Sequence, residues 1–153
     1  MRTRSKASTN RERAASVVEF ALILPVLAVF LLGMMEATWA QTQNLDVRHG
    51  AREGARLASV NFNPANESGA DQLARIVDET CTRLDDADAT TVSIRLDNAA
   101  DTTAGSSGTI RVTRTYDDLT GMLPFFNGLI LDSVIEFRLE REASWTSGTL
   151  PCL

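Results

Sequence analysis

Few residues in this chain have the chemistry for a reactive site. His49 is the only histidine. It lies between Arg48 and Gly50, with no acid or nucleophile set around it, so it is a poor basis for acid–base or nucleophilic catalysis. Cys, His and carboxylates show no metal-ligand spacing, and no glycine-rich phosphate loop is present. The chain therefore reads as a protein that is not an enzyme and that needs neither cofactor nor metal. Two cysteines remain, Cys81 and Cys152. They are either a disulfide or two unpaired buried thiols. Pairing would suit an exported domain in an oxidising environment. It would close a loop of about 70 residues and stabilise the domain by roughly 4 kcal/mol.

One carboxylate is placed unusually. Glu19 lies in the stretch RAASVVEF, directly before an apolar run from Phe20 to Met35 that is interrupted only by Pro25 and Gly33. A carboxylate within an apolar helix is expensive. Glu19 either marks the membrane edge or needs a partner inside the helix bundle. A cut between Ala14 and Ala15 would create an amino group one helical turn away, on the same chain or on a neighbour.

The elements around Glu19 follow from hydropathy and charge. The apolar run, taken with Ala14, Ala15, Val17 and Val18, is long enough to cross a bilayer as a helix. The mean hydropathy of −0.07 averages this segment with a polar remainder. Residues 1–14 hold Arg2, Arg4, Lys6, Arg11 and Arg13 against the single acid Glu12. Such a basic flank predicts a cytoplasmic N-terminus and an exported C-terminal part. After residue 14 the chain carries ten basic and 19 acidic residues. That excess would repel phosphates and argues against nucleic acid as a partner. Pro25 removes one backbone hydrogen bond and predicts a kink.

Beyond the span, residues 36–60 contain no proline and continue the helix as a stalk, with Trp39 near the outer interface. Small or apolar residues recur at Ala40, Val47, Ala51, Gly54, Ala55 and Ala58, a stripe suited to close packing. Arg52, Glu53, Gly54 and Arg56 then read either as a helix–helix interface with cross-helix charge pairing or as a solvated face. Residues 61–70 are rich in Asn, Pro, Ser and Gly and form a linker. Residues 71–86 predict an amphipathic helix, capped by Asp71, with Leu73, Ile76, Val77, Cys81 and Leu84 on one face.

The period then changes to two. Strands are expected at Thr91–Leu96, at Thr109–Tyr116 and within Asp132–Trp145, with a hairpin loop over 97–108. Residues 117–130 form an apolar loop with a short helical turn. The fold class is α+β: a long N-terminal helix, then one helix and a three-stranded antiparallel sheet. The divisions are a leader at 1–14, a transmembrane and stalk helix at 15–60, a linker at 61–70 and an outer domain at 71–153.

The basic leader, small residues, Glu19-Phe20 and apolar helix resemble type IV pilins and pseudopilins. More narrowly, residues 13–58 resemble the TadE-like family of tight-adherence (Flp) pilus assembly. Two stretches carry the resemblance: AASVVEFALILPVLAVFLLGMMEA at 14–37 and GAREGARLAS at 50–59. It implies cleavage by a prepilin peptidase at Ala14–Ala15, with Glu19 and Phe20 needed for processing and assembly. It also implies other pilin or pseudopilin subunits, the assembly machinery and the bilayer as partners. The family usually has Gly before the cut, where this chain has Ala14, also a small residue. Two other readings compete. One is a secreted binding protein whose signal peptide is cut after Ala40. The other is an uncleaved single-pass subunit of an envelope complex.

Overall fold

A computed structural model describes residues 6–121 and 128–152 of the 153-residue chain, with side chains from Arg13 onward. The chain divides into two compact units, Met1–Thr38 and Trp39–Leu153.

The first helix, α1, covers Lys6–Ser59 and contributes to both units. In the first unit it contains Pro25 and continues through it. Its large apolar side chains, among them Phe20, Leu22, Val26 and Phe30, are exposed. An 18-residue window within Arg13–Ser59 reaches a mean hydropathy of 2.5 with none of it buried. A helix apolar on all sides matches lipid rather than water. By length and composition, α1 can cross a membrane.

The second unit is α+β. The C-terminal part of α1 is followed by α2 (Gly69–Cys81) and by strands β1 (Thr90–Leu96), β2 (Ser107–Thr115), β3 (Ile130–Arg138) and β4 (Gly148–Pro151). The sheet order is β3-β2-β1-β4, and every pair is antiparallel. The register places Val92 opposite Val112 and Ile94 opposite Ile110. These four side chains and Leu96 turn inward. They join Val47, Ala51, Leu57 and Ala58 of α1, and Leu73, Ile76 and Val77 of α2, in one core. Trp145 completes it, with its ring centroid 6.3 Å from that of Phe137.

The sheet has four strands, not the expected three. The additional strand, β4, has only four residues and contains both Gly and Pro. No period can show in so short a run, and its place is set by pairing with β1. Pro151 is tolerated because β4 lies at the sheet edge. β3 is shorter than the segment expected for it. It ends at Arg138, and the chain then crosses to β4. Helix α2 starts at Gly69 with Ser68 at its N-cap, so Asp71 lies inside the first turn and is not the cap. There it favours the helix through the macrodipole. The expected helical turn in 117–130 falls partly on residues 122–127, outside the described residues.

The end of α1 explains why the linker starts at residue 61. Asn61 adopts φ +54°, its N–H reaches the carbonyl of Ala58, and the N–H of Phe62 reaches that of Leu57. These bonds form a Schellman cap, in which Asn tolerates the left-handed conformation. The Asn61 side chain also accepts from the amide of buried Gln72, whose own carbonyl oxygen accepts from Ser144. One network thus ties the end of α1 to α2 and to the approach to β4.

Candidate assembly site: the anchor helix and the helix face beyond it

The residues expected to guide processing all lie on α1. Ala14 and Ala15 are helical, and Glu19 follows Ala15 by four residues, about one turn. A peptidase acting at this bond would have to unwind the helix locally. Glu19 and Phe20 are both exposed.

Farther along α1, the small residues meet neighbours in their own unit. Val47, Gly50, Ala51, Gly54, Ala55 and Ala58 are buried within their own unit. A Cβ on Gly54 would lie 2.9 Å from Thr80 Oγ1 and would also meet the end of Ile110. A Cβ on Gly50 would run into the side chain of Leu84. Both glycines therefore let α1 approach α2, its following turn and the sheet. Arg52 and Arg56 face solvent instead. The Nη2 of Arg56 lies 2.7 Å from Oε1 of Glu53, an i,i+3 pair within the same helix. This hydrogen-bonded guanidinium holds the Glu53 carboxyl below its ordinary range. Glu53 and Arg56 thus pair along α1, and Arg83 after α2 also attracts Glu53.

Gly54→Ala is expected to be destabilising even though alanine favours helices. Overpacking typically costs about 1–3 kcal/mol, against a helix-propensity gain of about 1 kcal/mol. Arg52→Ala should stay within about 0.5 kcal/mol of the parent. Denaturant midpoints of the detergent-solubilised chain test this. A stabilised Gly54→Ala variant would contradict the packing described.

The structure also reveals a polar cluster not visible in the sequence. Arg114 alternates with Ile110 and Val112 on the inward face of β2, and its side chain is only 3% exposed. Its Nη1 lies 3.1 Å from Oδ2 of buried Asp46 on α1, and its Nη2 bonds to Asp86 after α2. Asp46 Oδ1 accepts the backbone N–H of Asp85 at 3.0 Å. The cluster clamps α1, the turn after α2 and the sheet. The signal available was a basic residue at an inward strand position.

The two cysteines are paired. Cys81 at the end of α2 and Cys152 after β4 form a disulfide. His49 is exposed on α1. Among the described residues, no group of three or more His, Cys, Asp or Glu side chains could hold a metal ion.

Neither the curated proteins nor the solved structures contain a match to this chain. The family model for TadE-like protein matches residues 14–56, from Ala14 through the apolar run to Arg56. This stretch carries Glu19, Phe20 and Pro25, together with most of the glycine-containing face that packs in the second unit. Over these residues, a little more than a quarter of its length, the chain is similar to the TadE-like family, and the similarity points to the tight-adherence pilus system.

Proposed function

We propose that this protein is a minor pilin or pseudopilin that takes part in assembly of a tight-adherence pilus. The observation that carries the reading is the family match beginning at Ala14 and running through an exposed apolar helix with Glu19 near its start. The chain acts structurally, not catalytically. Its N-terminus lies in the cytoplasm, the helix crosses the bacterial cytoplasmic membrane once, and the disulfide-bonded domain stands outside. The basic flank and the disulfide both favour this orientation.

A prepilin peptidase removes residues 1–14. Glu19 then pairs with the new amino group of Ala15 on its own chain or on a neighbour, which is how subunits recognise one another in the membrane. The packing at Gly54 supports confining this recognition to the anchor. The small-residue face is occupied by its own domain, so the exposed apolar helix and Glu19 remain for partner subunits.

The test is the intact mass and N-terminal sequence of protein purified from host membranes. A start at Ala15 is expected, together with loss of surface pili in a Glu19→Ala strain that still accumulates the protein. A start at Gln41 would overturn the reading in favour of a secreted domain. A start at Met1 would leave an uncleaved anchor.

A further inference from the structure

The second unit has an apolar end next to the residue at which it leaves the anchor. Trp39 follows Met35, the end of the apolar run, by four residues. Four residues reach at most about 14 Å however the chain is arranged. Within the unit, Trp39 Nε1 donates to the backbone carbonyl of Asp117 at 3.0 Å. Gln43, one turn later, donates to the same carbonyl at 2.8 Å. These two bonds hold the start of the β2–β3 connection beside Trp39.

Exposed apolar residues lie close to Asp117. The N–H of Tyr116 bonds to the carbonyl of Leu129, and Thr115 pairs with Ile130, so Leu129 and Ile130 flank this point. Leu129 is 50% exposed, Ile130 71% and Leu119 50%. Large apolar residues clustered in the open are a recognised mark of a binding surface. Residues 116–131 contain no Lys or Arg, and Asp117 and Asp118 lie beside the patch. Attraction to anionic headgroups is therefore not what this end offers. Its chemistry is apolar, with Trp39 supplying the kind of ring that settles at a membrane interface.

We propose that the domain end formed by Leu119, Leu129 and Ile130 rests in the interface of the bilayer crossed by α1, so that lipid is the partner of this patch. The inference depends on α1 being a membrane anchor. Two tethers on one domain, the helix and this apolar end, would restrict its tilt and present the rest of the sheet away from the membrane.

The experiment uses the full chain in phosphatidylcholine vesicles, plain or brominated near the interface, with Ile130→Trp and Leu119→Trp variants. Ala99→Trp is the control. It lies in the β1–β2 hairpin, at the other end of the nine-residue strand β2. Co-flotation with vesicles and quenching of wild-type Trp39 emission read the anchor separately. The expected result is a blue shift on reconstitution and a loss of emission in brominated vesicles for Ile130→Trp and Leu119→Trp, beyond the wild-type loss. Ala99→Trp should show neither. Co-flotation without added quenching at 119 and 130 would overturn the proposal and leave the anchor standing. Equal quenching at 99 would also overturn it, because the contact would then not be specific to this end. Failure to co-float would remove the anchor reading and this one with it. Unchanged circular dichroism confirms that each exposed substitution leaves the fold intact.

Discussion

Arg114→Met is expected to lower the unfolding free energy by about 3–5 kcal/mol, the usual cost of removing one partner of a buried ion pair. The arrangement explains why the loss is large for a small domain. Asp46 is only 7% exposed at its side chain and takes its charge partner from Arg114 at 3.1 Å. Without the guanidinium, its carboxylate keeps one neutral donor, the Asp85 amide. Asp86 is 51% exposed and can turn to water, so its loss contributes little. A domain stabilised by about 5–15 kcal/mol loses a large share of that margin. The measurement is denaturant unfolding of the solubilised chain, followed through the fluorescence of buried Trp145. A double variant, Arg114→Met with Asp46→Leu, should recover much of the loss, because the uncompensated charge is then gone. A single-variant loss below about 1 kcal/mol would show that water reaches Asp46, against the burial described.

Removing the disulfide with Cys81→Ser and Cys152→Ser together should cost about 4 kcal/mol, because the bridge joins residues 71 positions apart and its loss restores the freedom of a long unfolded loop. The effect should also have a place. β4 is four residues long and pairs with β1 from Thr91↔Pro151 to Ile94↔Gly148, and the bridge anchors the chain directly after it. Freed of that anchor, an edge strand of this length has little to hold it. Amide exchange should therefore rise first at Thr149 and Leu150, while the paired centres of β1 and β2 stay protected. Reductant added to the wild-type chain should reproduce the loss, and the double serine variant should not respond to reductant. Uniform loss of protection across the sheet would show that β4 is not a separate unit of opening.

The elements with a strong local signal are legible in the sequence. The apolar run of α1, with the small and apolar residues just before it, is long enough for a bilayer crossing, and no folding context changes that count. The amphipathic face of α2 and the alternation of β1 and β2 each repeat often enough to set the element type. Their ends differ from the periodic segments by up to five residues, because caps and strand pairing set them: Ser68 and Gly69 begin α2, and Cys81 ends it. The resemblance on residues 14–59 lies in the same stretch as the family match, since that stretch carries its signal in order along one helix.

The rest depends on contacts distant in sequence. Small residues at Ala51, Gly54 and Ala55 state that something approaches α1 closely, but not what. Only the packing of Thr80 and Ile110 shows that the neighbour is the chain itself. The alternation of β2 puts Arg114 at an inward position, but only the fold shows that its partner is Asp46, 68 positions earlier. β4 has too few residues for a period, and its pairing with β1 defines it. By itself, then, the sequence determined the membrane-length helix, the α+β class and the core-facing residues of α2, β1 and β2, because each is written in local period and composition. Tertiary structure alone decided which surfaces were already occupied and which remained for partners, because occupancy is set by contacts between residues far apart along the chain.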